Sequence, residues 1–277
     1  MRLRILATVA ATELKLAVRS RLVVLFAATF ALLALALSYF GLTTAGYAGF
    51  DSFSRTAASL LNLGLYLVPL LALVLGSLSL TPPRGEAEIL LSQPIARAEV
   101  LVGKVAGLAA AVFVSTLGGF AAAGVVVALK VGNEGFARYA AVAAGSSLLG
   151  VLFVGLGALL AVSTGRRDRA LGASLLAWFA LVFLYDLLVL GGSNLYAGGA
   201  AMRHVLAASV LLNPIELARG AGLVVLSGVH SLGPAWGTLI RTLGGPSLAA
   251  AWASAAVLFW LVLPTALAAR VYARRDL

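Results

Sequence analysis

Six stretches of this chain are each long and apolar enough to cross a lipid bilayer, and that constrains its fold more than any other feature. A helix rises about 1.5 Å per residue, so about 20 apolar residues cover a hydrocarbon core of about 30 Å. Runs meeting that length lie at Leu22–Leu42, Ala57–Leu80, Leu101–Leu129, Tyr139–Ser163, Leu171–Leu190 and Ser247–Ala269. Each is bounded by charge or by Gly, Pro and Ser clusters. The expected fold is therefore all-α: a polytopic bundle of six transmembrane helices forming one domain over residues 1–277. With 62% hydrophobic and 11% charged residues, against roughly 45–50% and about 25% in soluble domains, the chain has too little polar surface to fold in water.

The net charge of +10 falls between the apolar runs, where basic residues orient spans and meet anionic lipid headgroups; nucleic acid is not an expected partner. Arg2, Arg4, Lys15, Arg19, Arg21, Arg84, Arg97, Lys104, Arg166, Arg167, Arg169, Arg270, Arg274 and Arg275 occupy one set of alternate segments. Only Arg55, Lys130, Arg138, Arg203, Arg219 and Arg241 occupy the other. Because Lys and Arg stay on the cytoplasmic side, this split predicts both termini inside, in the inner membrane.

Residues 1–21 form a basic leader whose Arg4, Thr8, Thr12, Lys15 and Arg19 recur at helical spacing opposite Leu6, Ala10, Leu14 and Ala17. That pattern predicts an amphipathic helix on the membrane surface. The apolar run after it exceeds a signal-peptide core of about 7–15 residues, so the leader is expected to be retained.

Residues 81–104 read TPPRGEAEILLSQPIARAEVLVGK. Pro82 and Pro83 stop the second span, Glu86 and Glu88 suit the positive end of a short helix, and Pro94 breaks it. Glu86, Glu88, Arg97, Glu99 and Lys104 alternate with apolar positions, a pattern that serves either to dock a soluble motor or to lie in headgroups. The outer segment, residues 191–246, is too long to be structureless. Asn213-Pro214-Ile215-Glu216 reads as a helix start, and the helix after it is expected to cap the bundle at the surface, with a seventh membrane-embedded element as the alternative.

Ionisable groups are nearly absent from the spans. Asp186 is the exception, and it reads as a shallow acid hydrated from outside or paired with Lys130 or Arg138. Small residues at Gly118, Gly119, Ala122 and Ala123, and Ala141 with Gly145, are expected to permit close helix packing, and Pro69 and Pro264 to kink their helices. With no Cys, the only metal candidates are Met202 with His204, and His230 farther along, too sparse for a usual ligand set. No phosphate-binding glycine loop or catalytic triad occurs, so no cofactor and no catalytic residue are expected.

The segments TELKLAVRSR, TAASLLNLGLYLVPLLALVLG, ILLSQPIARAEVLVGK, VFLYDLLVL, LLNPIELARG and RVYARRDL together resemble the type-2 ABC exporter permeases, most nearly the branch serving maturation of nitrous oxide reductase and related periplasmic copper enzymes. The resemblance implies a homodimer that binds two copies of a cytoplasmic ABC ATPase and works with a periplasmic accessory protein. It makes Glu86–Lys104 the coupling segment, with the leader and Arg166, Arg167 and Arg169 as further ATPase contacts. It leaves three functions open: supply of a copper or sulfur species to a copper enzyme, export of a lipid or amphipathic drug, and a cargo-free scaffold transmitting force.

Overall fold

The structure is a computed structural model describing residues 2–43, 50–81, 96–131, 133–195 and 200–274. Glu86 and Glu88 lie outside the described residues. Among those described, every element is helical, as the hydrocarbon core requires: it offers peptide groups no hydrogen-bond partners, so each segment satisfies its own. The leader is α1 (Arg2–Val18), followed by α2 (Arg21–Thr43), α3 (Phe50–Ser79), α4 (Arg97–Val131) and α5 (Asn133–Thr164). The fifth span is composite: α6 (Arg167–Phe179), a π-helical turn (Ala180–Leu184) and α7 (Tyr185–Leu195). Then come α8 (Ala200–Leu212), α9 (Pro214–Ser227), α10 (Pro234–Leu243) and α11 (Pro246–Ala273).

Six of these helical stretches are long and apolar enough to cross a membrane, Arg21–Leu42, Phe53–Ser79, Arg97–Lys130, Gly135–Thr164, Arg167–Gly191 and Pro246–Ala273. Each contains or nearly matches one predicted run, and most are longer, because a helix continues past the hydrocarbon until a turn residue stops it. An even number of crossings returns the chain to the side where α2 began. That side is called the termini side below, and the opposite one the far side.

At the centre, α3 and α5 pack backbone to backbone. A Cβ on Gly157 would sit 2.6 Å from the Leu73 carbonyl oxygen, and one on Gly76 equally close to that of Val154. Phe30 of α2 lies over Gly119 of α4 and meets the edge of Phe120 with ring centroids 4.9 Å apart. Of the small residues singled out from sequence, Gly119 and Ala123 are packed, whereas Gly118 and Gly145 have no neighbour within 4 Å of a Cβ position. The closest helix contacts lie elsewhere, because spacing alone does not say which stripe of a helix meets a neighbour. Helices α3 and α11 run on past Pro69 and Pro264.

The segment between the fifth and sixth spans departs from a surface cap. Helices α8 and α9 meet at Asn213 at 89°, and three contacts fix the depth of that corner. The Asn213 amide donates to the Leu181 carbonyl at 2.8 Å, Trp260 Nε1 reaches the Leu211 carbonyl, and Pro214 and Leu217 share an apolar cavity with Leu149 and Leu152. Leu181, Trp260 and Leu149 each stand midway along a span. From there α9 climbs back to the far side, where Ser227 Oγ is 3.1 Å from Ser54 Oγ near the start of α3. The segment is thus a re-entrant elbow. Its apolar residues, Ile215, Leu217 and Leu226, are buried against protein, and α10 closes over it from the far side through Leu239.

The α3–α5 crossing gives a direct test. Gly157→Val must push backbone away and should cost roughly 1–3 kcal/mol, seen as a lower thermal midpoint in detergent, whereas Gly172→Ala, with nothing within 4 Å, should hold or raise it.

Candidate functional site

Among the described residues two polar clusters interrupt the apolar bundle, one on the termini side and one at the elbow. The first is built on α1. Its inward face carries Leu6, Val9, Ala10, Leu14 and Ala17 and, among them, the buried Glu13. Gly103 and Gly107 of α4 let this face approach closely, since a Cβ on Gly107 would fall 2.4 Å from the Ala10 carbonyl oxygen. Glu13 is thereby pressed against the ends of two spans. Its carboxylate accepts from Ser79 Oγ and pairs with Lys104 Nζ at 3.4 Å, while Lys104 also donates to the Ser79 carbonyl at 3.2 Å. Ser79 ends α3 and Lys104 lies in the second turn of α4, so one carboxylate ties together both flanks of residues 82–95. Lys104 was read from sequence as a docking charge; the structure places it here, largely enclosed. Arg97 and Glu99 stand half-buried in the first turn of α4.

Arg166, Arg167 and Arg169 are exposed on the same side, at the start of α6. Arg166 pairs with Asp168 at 3.1 Å, a solvated contact that contributes little to stability. It holds an open cationic turn.

The second cluster depends on the π turn of the fifth span. There the Tyr185 N–H reaches back five residues to Ala180 instead of four, which leaves the Leu181 carbonyl for the Asn213 side chain. The other end of that amide caps α9, its oxygen accepting from the Ile215 N–H at 3.0 Å. One side chain therefore satisfies a released carbonyl and a helix start at the same corner. The first two turns of α9 then set Glu216 and Arg219 against α7. Arg219 Nη1 donates to Asp186 Oδ2 at 3.0 Å and to Glu216 Oε1, and the Tyr185 hydroxyl donates to the Ser209 carbonyl at 2.6 Å.

This corrects the reading of Asp186. Its partner is Arg219, not Lys130 or Arg138, and it stands five residues before the end of the fifth span at Gly191. Arg138 instead donates to the Leu226 carbonyl at 3.4 Å near the far side. Sequence reasoning missed Glu13, Ser79 and Arg219. The available signals were an acid on the apolar face of the leader and a Glu–Arg pair three residues apart in an otherwise apolar helix. Met202 and His204 sit two positions apart on α8, a spacing that faces different sides of a helix, and His230 lies in the 3₁₀ turn at 229–231. Among the described residues no three His, Asp or Glu gather as a metal-ligand group.

The sequence that builds this bundle is similar to known proteins. The model of the ABC-2 family transporter proteins matches residues 7–277. The chain belongs to that family. Similar curated proteins include the probable ABC transporter permease protein NosY of Stutzerimonas stutzeri, 31% identical over 276 residues covering 96% of this chain and 97% of the relative. The protein of the same name from Pseudomonas aeruginosa is 32% identical over 283 residues, covering 98% of each. This chain is thus the permease component of an ABC transporter, a multi-span membrane protein.

For this ABC permease the two clusters make separate predictions. Asn213→Ala removes a cap and a bond to a mid-membrane carbonyl, each worth about 1 kcal/mol, and hydrogen exchange over residues 200–227 should accelerate about tenfold or more. Glu13→Gln strands Lys104 and should destabilise by about 2–3 kcal/mol, whereas the double change Glu13→Leu with Lys104→Met should recover most of that loss in thermal melts.

Proposed function

We propose that this permease serves the maturation of a periplasmic copper enzyme such as nitrous oxide reductase, transporting or handing over a copper or sulfur species. The observation that carries the reading is the near end-to-end similarity to two NosY permeases, together with the specific inner segment ILLSQPIARAEVLVGK. In this reading the termini side is cytoplasmic, as the distribution of Lys and Arg favours. Two copies of the chain bind two copies of a separate ABC ATPase, which hydrolyses the ATP.

Residues 81–104 form the coupling segment, and Glu86, Glu88, Arg97, Glu99, Arg166, Arg167 and Arg169 contact the ATPase. Lys104 acts behind that surface: with Glu13 and Ser79 it makes the leader and the start of the third span move with the segment. Displacement of α4 then reaches the elbow through α5 and α3, between which α9 is held, and alters the far face where a periplasmic accessory protein docks. Met202 and His204 supply no ligand set, so cargo passes by handover to that protein and not through a metal-lined pore.

A second reading, export of a lipid or amphipathic drug, is favoured by one feature. The far halves of α4 and α5 enclose an apolar groove of about 420 Å³ lined by Phe120, Gly124, Val125, Phe136 and Tyr139. Reconstituted vesicles distinguish the readings, since lipid or drug flux on ATP addition without any periplasmic partner supports export. For the coupling segment, reversing Glu86, Glu88 and Glu99 to Lys should abolish co-purification with the ATPase while membrane insertion is unchanged; retained co-purification would overturn the assignment.

A further inference from the structure

The elbow sets two acids against one base inside the bundle. Asp186 and Glu216 both accept hydrogen bonds from a single nitrogen, Arg219 Nη1, which brings the two carboxyl groups into contact with the same donor. An ionised carboxylate has only acceptor sites, so two ionised groups repel at that contact and cannot bond. Among the described residues, the charged or titratable groups facing the pair are Arg219 from α9 and Tyr185 from α7, with Tyr66 of α3 near the guanidinium. The Tyr185 hydroxyl is already committed to the Ser209 carbonyl. Of the other charged or titratable groups on the helices around the corner, Arg138 of α5 bonds the Leu226 carbonyl at the far end of α9, Arg241 of α10 bonds Thr238, Arg203 and His204 stand in the first two turns of α8, away from Ser209, and Arg270 stands at the termini-side end of α11. With both acids ionised the cluster would carry a net charge of −1 at a depth where an unneutralised charge is costly.

We propose that Asp186 and Glu216 hold one proton between them, which makes the Asp186–Glu216–Arg219 cluster an electroneutral proton-binding site inside the membrane. One carboxylate takes a proton from water and its O–H donates to the other, which stays ionised against Arg219. The proton enters and leaves through Asp186, whose side chain is 39% exposed and thus the most open of the three. When it leaves, the two carboxylates repel, and the first turn of α9 loosens from α7. Occupancy of the site therefore sets how firmly the elbow docks on the fifth span, a control separate from the ATPase and independent of what the permease carries.

The test is infrared spectroscopy of the full-length protein in lipid nanodiscs, with ¹³C-labelled aspartate or glutamate. The expected result is a protonated-carboxyl carbonyl band at neutral pH that moves on ¹³C labelling and disappears as the pH is raised. The band should be absent from both Asp186→Asn and Glu216→Gln, because either leaves a single carboxylate that Arg219 keeps ionised. Wild-type protein without such a band at neutral pH overturns the proposal and points to a bound metal cation or a partner charge in the proton's place. A band that survives either substitution also overturns it, since the proton then belongs to another group. The wild-type measurement needs no variant to fold.

Discussion

Hydrocarbon gives a peptide group nothing to bond to, and that single deficit organises this molecule. It makes every crossing a helix, and it makes any break in a helix at membrane depth an event that needs side chains to repair it. Among the described residues two such breaks stand side by side, the π turn at Ala180–Leu184 and the corner at Asn213. They repair each other: the carbonyl released by one accepts the amide that caps the other. A break alone would leave an unpaired group in lipid, at a cost of several kcal/mol. Together they make a right-angled element that can sit halfway through the membrane.

Placement of charge follows the same rule. Away from water a charged side chain is retained only where a partner meets it, and the two clusters show two ways of arranging that. At Glu13 a surface helix is brought against the bundle by glycines, so that an acid on its inner face finds a lysine and a serine. At the elbow, chain that has left the membrane returns to supply Arg219 to Asp186. The first joins the leader to the two flanks of residues 82–95, and the second joins the elbow to the fifth span. Between them stand α3 and α5, packed backbone on backbone at Gly76 and Gly157, a contact too close to slide without separating. Motion on the termini side therefore has a stiff route to the far side.

The spans were legible because hydrophobic length is a local property. Leu22–Leu42 or Tyr139–Ser163 can be recognised without knowing any other part of the chain, and the start of α9 was equally local, written in Asn213 and Pro214. The polar clusters were only half legible. Asp186 stood out as the acid in an apolar run, yet its partner lies 33 positions away, and charge order along the chain pointed to Lys130 and Arg138 instead. Glu13 passed unnoticed because amphipathic periodicity assigns faces by average character, and one acid among Leu6, Ala10, Leu14 and Ala17 does not change that average.

The sequence by itself determined that this chain is a six-span helical membrane protein, because the match between apolar length and bilayer thickness depends on no distant contact. Tertiary structure decided the depth of the outer segment, the partner of Asp186 and the role of Lys104 inside the protein. Each of these depends on which helix faces bring distant residues within about 3 Å, and pairing at that range is set by packing rather than by spacing along the chain.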